Sequence, residues 1–349
     1  MDDLYSFINN KLKHGVIPSF EQFYYEYKYL YDDEQEFREN LKDQYDEALS
    51  LEKLRPLLEI PKLEEVKFLS NRIVRIKTSE ITYNKKIILK NLEVKRYCQI
   101  LLIKEEQQIN DKSPFCSFTT FLCGKKVRIT IIKNFEDKNS SYLLTIRVFN
   151  NHPFNFQNFQ LANEQTNFIK KSINDKKNIL ISGKTGSGKT CFLQTLIQFA
   201  NKKNEYILLI EDLKEIPIES ENIVRLATSD FNKPMDQLVS WALRLSPDRL
   251  IIGEIRSEEA VSYLNILNTG HQGALTSIHS NSAVESIDRL AFLINFYHHA
   301  NLNSSRIEIK KLLATYIDIA IHIDDKKVIE VIEIKGTSKE GALYFKNVF

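Results

Sequence analysis

Glycine is scarce in this chain: 10 of 349 residues, about 3% against a usual ~7%. Cysteine is scarcer. Its 4 residues (Cys98, Cys116, Cys123, Cys191) form no Cys-x-x-Cys pair and no regular framework. That argues against a disulfide scaffold or a structural zinc site and for a reducing cytoplasm. No uncharged apolar run approaches the ~18 residues a spanning helix needs. The opening MDDLYSFINN is acidic where a signal peptide would be basic and then apolar. The chain therefore reads as one that does not cross a membrane, with docking on one left open. Internal repeats and low-complexity tracts are also lacking. What is present is an ordinary globular composition, 43% hydrophobic and 27% charged, which excludes a mainly disordered chain. At ~150 residues per domain the length suggests two domains.

The net charge of +2 hides a segregation. Residues 1–60 carry 14 acidic and 7 basic side chains, residues 61–150 carry 9 and 18, and the remainder carries 23 of each. The acidic segment 1–60 reads as helical, ending near Pro56 and Pro61. Segment 61–150 alternates apolar and polar residues in NRIVRIKT (71–78), KKVRITII (125–132) and YLLTIRVF (142–149), the period of a half-buried strand. It reads as a smaller α+β domain. The Asn-rich NNHPFNFQN (150–158) marks a linker over 151–160.

From 161 to 349 short apolar runs (178–182, 206–210, 249–252, 274–278) alternate with helical patterns (190–202, 234–246, 257–268). The last pattern has Ser257 at the N-cap position and Glu258 and Glu259 in its first turn. Alternation of this kind predicts an α/β domain with a predominantly parallel sheet covered on both faces. Six of the ten glycines (Gly183, Gly186, Gly188, Gly253, Gly270, Gly273) fall in one 91-residue stretch of it. Such a cluster marks backbone that approaches something closely.

The strongest signal lies there. Gly183-Lys184-Thr185-Gly186-Ser187-Gly188-Lys189-Thr190, followed by Cys191, fits GxxxxGK[ST] between an apolar strand and a helical run. In such a loop backbone N–H groups converge on phosphate oxygens at a helix N-terminus. Lys189 is placed to reach the β- and γ-phosphates, and the Thr190 hydroxyl to hold Mg²⁺. The guanine-reading NKxD is not matched by Asn232-Lys233-Pro234-Met235-Asp236, whose aspartate comes one residue late. ATP is therefore favoured over GTP.

Carboxylates follow two of the strands: Glu211, Asp212 and Glu215 after YILLI, and Glu254 after RLIIG. In a parallel sheet the C-terminal strand ends share one edge, where ligands bind. Solvated loop acids are the plainer reading of the same residues. His271 and His279 bracket the run ALTSI, with His279 at its C-terminal end; no third ligand at metal spacing accompanies them.

Taken together, these clusters resemble the traffic ATPases of type II and type IV secretion and type IV pili. The phosphate loop matches, IEDLKEI (210–216) looks like the family's aspartate box, RLSPDRLIIGEIRSEEA (244–260) its Walker B region, and NTGHQGALTSIHSNS (268–282) its histidine box. LRLSPDR is closest to the type IV secretion and tight-adherence branches. The resemblance implies a RecA-like P-loop motor and a cytoplasmic homohexameric ATPase, peripheral to the inner face of the cytoplasmic membrane and joined to secretion or pilus machinery. It implies Glu254 as the residue that orients or activates water, supported by Glu215 and Glu211, and His279 as a γ-phosphate sensor. Arg147 matches the second of two nucleotide-reaching arginines; the first position falls on Lys126, with Arg128 two residues on. A pilus or type II motor, a nucleic-acid-translocating motor and a weakly hydrolysing scaffold are the alternatives. Stable nucleic-acid binding is not expected.

Overall fold

A computed structural model describes residues 2–27, 35–70, 73–86, 93–133, 142–149, 154–201, 205–231, 233–297 and 305–349. Asn71 and Arg72 of the first strand-like run, residues 150–153 of the linker, Lys202 and Asn232 lie outside them. The chain divides into two compact units, Met1–Asn151 and His152–Phe349.

The first unit opens with helices α1 (Asp2–Lys13), α2 (Phe20–Tyr27), α3 (Gln35–Leu49) and the short α4 (Arg55–Leu58). The apolar faces of α1, α2 and α3 form a small core that includes Leu4, Ile8, Leu12 and Phe23, with Phe7 and Phe23 ring centroids 5.3 Å apart. Pro56 sits in the first turn of α4, where its missing N–H costs nothing. Six strands follow: β1 (Leu63–Ser70), β2 (Ile73–Thr78), β3 (Thr82–Lys86), then, after helix α5 (Glu93–Lys104), β4 (Phe115–Leu122), β5 (Lys125–Lys133) and β6 (Tyr142–Val148). They form one antiparallel sheet in the order β3-β2-β1-β6-β5-β4. The period-two pattern decides which side is buried: Val66, Ile76, Ile129 and Ile146 join Val94, Tyr97 and Leu101 of α5 in one core. The alternate residues stand on the opposite face, and there Arg128 is the direct cross-strand neighbour of Arg147.

The second unit begins with a 3-10 turn at Phe156–Phe159, capped by the Asn155 side chain. Phe156 and Phe159 are buried in the core of this unit, so the end of the Asn-rich stretch is packed structure. Helix α6 (Asn163–Asn174) leads to β7 (Ile179–Ser182), α7 (Lys189–Ala200), β8 (Ile207–Glu211), β9 (Ile223–Ala227), the short α8 (Thr228–Phe231), α9 (Met235–Leu245), β10 (Arg249–Ile255), α10 (Glu259–Asn268), β11 (Leu275–Ile278), α11 (Ala283–Tyr297) and α12 (Arg306–Tyr316). The chain ends in β12 (Ile319–Asp324), β13 (Lys327–Thr337) and β14 (Leu343–Asn347). The sheet order is β14-β13-β12-β7-β11-β10-β8-β9.

Neighbours from β12 to β9 run parallel, while β13 and β14 are antiparallel additions at one edge, so the sheet is mixed. Every residue of β7, β8 and β11 is buried, as helices on both faces require. Ser257 does not cap α10. The carboxylate of Glu259 turns back instead, accepting from the Ser257 N–H (2.8 Å) and hydroxyl (2.7 Å) and from the Arg256 N–H (2.5 Å). An ionised acceptor at a helix start outcompetes a neutral hydroxyl for those donors.

Candidate functional site

The glycine-rich loop joins β7 to α7. Gly183, Gly186 and Gly188 have φ of 156°, 80° and 105°. A Cβ at position 183 would stand 2.3 Å from the Ile323 carbonyl oxygen and 2.4 Å from Ser187 Oγ, so only glycine fits. Lys184, Thr185 and Gly186 are exposed at the crest. The Ser187 hydroxyl is buried without a hydrogen-bond partner among the described residues. A buried orphan of this kind is costly until a polar group meets it, a condition a phosphate oxygen fulfils. Thr190 is exposed in the first turn of α7, and Cys191 beside it is half-buried.

Lys189 opens α7 and is only 6% exposed. Its ammonium donates to the Gly183 carbonyl (2.9 Å), the Lys184 carbonyl (3.0 Å) and His279 Nδ1 (3.1 Å), and lies 3.9 Å from Glu254 Oε1. The other imidazole nitrogen, Nε2, is 2.8 Å from the same Glu254 oxygen. That oxygen is buried and makes no hydrogen bond among the described residues. Glu254 lies within β10 rather than after it, at an irregularity in the pairing with β11 between Ile252 and Ile255. Bulges of this kind re-aim side chains. Its second oxygen accepts from Arg256 Nε at 2.6 Å. Lys189 at the start of α7, Glu254 in β10 and His279 after β11 thus come together at one edge of the sheet.

Glu211 and Glu215 are arranged differently. Glu211, the last residue of β8, is buried, and its Oε1 accepts from the backbone N–H groups of Glu215 (3.1 Å) and Ile216 (2.9 Å). Arg225 Nε lies 3.2 Å from Oε2 and the same guanidinium donates to Ile218 O at 3.1 Å. Burial pushes the Glu211 carboxyl up to about 7, against the opposing pull of Arg225 and the backbone donors. Its contacts are those of a clamp on the loop that carries Glu215. His271 is at the other end of β11 from His279; its Nε2 accepts from the Leu250 N–H (3.1 Å), and burial with Lys176 and Arg249 nearby lowers its pKa. That is a structural role.

In the N-terminal unit Arg147 is exposed, with Arg128 opposite it on β5 and Glu65 opposite it on β1. Arg128 Nε donates to Ser117 Oγ (3.1 Å). Lys126 is two residues along β5, its ammonium 5.8 Å from the Phe149 ring. The cross-strand neighbour of Arg147 is Arg128, not Lys126. Sequence reading missed Arg256 and Arg225, whose contacts depend on the fold, although Arg256 lies inside the motif two residues from Glu254. Among the described residues no group of three or more His, Cys, Asp and Glu side chains is arranged to hold a metal. The Thr190 hydroxyl, exposed in the first turn of α7, is a hard oxygen donor of the kind Mg²⁺ takes.

Residues 136–316, just over half of the chain, match the family described as type II/IV secretion system protein. The chain is 34% identical over 182 residues to the conjugal transfer protein TrbB of Rhizobium radiobacter, covering 50% of this chain and 54% of that one. It is 30% identical over 192 residues to the type IV secretion system protein VirB11 of Bartonella quintana, covering 52% and 51%. It thus spans about half the length of the curated relatives it matches. A crystal structure of the pilus retraction motor PilT with bound ADP shares the fold, with a TM-score of 0.59 at 16% identity over 85% of this chain and 81% of that one.

Proposed function

The chain belongs to the type II/IV secretion system protein family, and from that premise we propose that it is an ATP-hydrolysing motor of a type IV secretion machine. The observation that carries this reading is the meeting of Lys189, Glu254 and His279 beside a loop whose three glycines have positive φ. In this reading the N–H groups of residues 184–190 and the Lys189 ammonium bind the β- and γ-phosphates, and Ser187 Oγ meets a phosphate oxygen. Glu254, held by Arg256 and flanked by His279, orients the attacking water, while His279 senses the γ-phosphate through its contact with Lys189. Glu215 supports that water, and Glu211 acts through the loop it clamps. Mg²⁺ would be held by Thr190 and, through water, by the carboxylates; when bound it neutralises charge on the phosphate oxygens.

TrbB and VirB11 are named for conjugal transfer and type IV secretion; the same class of work is proposed here, by a homohexamer docked peripherally at the cytoplasmic membrane with secretion-machinery partners. Among the described residues no helix is long and apolar enough to cross a membrane. The nucleotide contact that the resemblance gives Arg147 is proposed as well, with Arg128 rather than Lys126 as its companion.

The test is phosphate release from purified protein, with particle size measured with and without ATP. The parent hydrolyses ATP and Lys189→Ala falls to background while its nucleotide-free melting midpoint stays near the parent's. Parental turnover in Lys189→Ala would sink the motor assignment.

A further inference from the structure

A loop that turns its N–H groups inward to a phosphate must turn its carbonyls outward, and each carbonyl then needs a donor. Four of them can be traced. Gly183 O takes the Lys189 ammonium. Lys184 O takes the same ammonium and the Ser187 N–H (3.2 Å). Gly188 O takes the Phe192 N–H (2.9 Å) inside α7. Ser187 O takes the backbone N–H of Lys326 at 2.8 Å, a backbone donor from outside the loop and its helix.

Lys326 stands in the turn between β12 and β13. That turn has two residues, Asp325 and Lys326, both left-handed with φ of 45° and 60°. Two-residue hairpins of this hand favour Asn-Gly or Asp-Gly, because side chains resist positive φ. Here a lysine occupies the glycine position, a local strain that persists where surrounding structure over-determines it.

The surroundings are the phosphate loop. A Cβ on Gly188 would stand 3.4 Å from both Cα and Cγ of Lys326, so the lysine stem lies against that glycine. Three residues before Lys326, the Ile323 carbonyl lies against Gly183. Beside it the buried His322 lies with Nδ1 2.9 Å from the hydroxyl of Ser182, the residue before the loop. On β13 the Glu330 carboxylate accepts the Ala283 N–H (2.8 Å), fixing the start of α11 four residues after His279.

We infer that the Asp325–Lys326 turn is a brace that sets the shape of the phosphate loop, and that Lys326 is a positioning residue for nucleotide binding through its backbone N–H and left-handed conformation. The inference rests on the nucleotide-binding reading above and assigns the loop a support that its own motif does not contain. It predicts a separation. Loosening the brace spreads Ser187 and Gly188 and weakens nucleotide binding, while Glu254 and His279 keep their places and turnover at saturation changes little.

The experiment compares Lys326→Gly with Lys326→Val, using fluorescent ADP for affinity, phosphate release for turnover and the nucleotide-free melting midpoint for folding. Glycine keeps the N–H and accepts the left-handed backbone; valine keeps the N–H but resists that backbone. Lys326→Gly should bind within about threefold of the parent, and Lys326→Val about tenfold or more weaker, with kcat within about threefold. Equal affinities in the two variants would overturn the inference. If Lys326→Val does not fold, amide exchange on the parent decides: the Lys326 N–H should exchange about tenfold or more slowly with saturating ADP, and an unchanged rate would overturn the brace. A parent that binds no ADP would bring down the nucleotide-binding reading itself, whereas a parent that binds ADP with indifferent variants would remove only the brace.

Discussion

Lys189 and His279 meet on the Gly183 carbonyl: the ammonium is 2.9 Å from that oxygen and 3.1 Å from His279 Nδ1, which is itself 3.2 Å from it. The residues are 90 positions apart and are joined because β11 runs parallel beside β7. The imidazole thereby lies between the loop lysine and Glu254, whose Oε1 is 2.8 Å from its Nε2.

Truncating that imidazole should separate binding from chemistry. In His279→Ala, Lys189 keeps its two loop carbonyls, so ADP affinity should stay within severalfold of the parent. Turnover should fall by about 10²-fold, because Glu254 loses its orienting partner. The His279 side chain is 41% exposed, so the melting midpoint should barely move. A collapse of affinity at normal turnover per bound ATP would make His279 a loop support instead.

Glu254→Gln should bind ATP and hydrolyse it at least ~10²-fold more slowly, since the amide keeps the size and loses the charge that aligns water. The two measurements belong on one preparation. Arg256 would then face an amide in place of a carboxylate oxygen 2.6 Å away, so a modest fall in the melting midpoint should accompany the loss. Normal turnover would remove Glu254 from the chemistry.

How far the sequence reveals this site follows from locality. The strands β7, β8, β10 and β11 are legible because burial on both faces makes each an apolar run, and the phosphate loop because all its groups lie within eight residues. Edge strand β9 is not, since Arg225 interrupts its short apolar run. Helix α5 hides in the basic segment because it buries Arg96 and Gln99 along with its apolar residues, which blurs the helical period. The Lys326–Ser187 contact joins positions 139 apart and leaves no local trace. The Arg128–Arg147 pairing depends on strand register, which spacing alone does not fix.

Arg249 is a stability residue. It is 0% exposed, with Nε donating to Glu205 (2.9 Å), one terminal nitrogen to Gly273 O (2.9 Å) and the other to Ile173 O (3.0 Å). A Cβ at Gly273 would come within 2.7 Å of the guanidinium, which accounts for a glycine there. Arg249→Met leaves Glu205 and two carbonyls without their donor, and should lower the urea unfolding free energy by about 3–5 kcal/mol. Adding Glu205→Gln should recover part of that loss. A double variant that loses the full sum of the two single changes would mean the pair is not coupled.

Glu211 makes the C-terminal unit less stable as pH rises. Its carboxyl is raised by burial from an ordinary 4.5 to about 7 in the folded protein. Between those values the folded state holds the proton more tightly than the unfolded chain does. Its contribution to stability is therefore fully present below about 4.5 and is lost as pH rises through about 7. At about 1.4 kcal/mol per pKa unit the whole swing is roughly 3.5 kcal/mol at most. Trp241, the chain's single tryptophan, packs against the core of the C-terminal unit, so its fluorescence follows the unfolding of that unit. Urea midpoints taken from pH 5 to 8 should fall more steeply in the parent than in Glu211→Gln, which cannot ionise. The amide oxygen still accepts from Glu215 and Ile216, but the amide nitrogen would face Arg225 as a second donor, so the variant should be offset downward throughout. The slopes, not the offsets, carry the test. Equal slopes would mean that Arg225 holds Glu211 ionised across this range, and the clamp on the Glu215 loop would then be an ion pair at every pH examined.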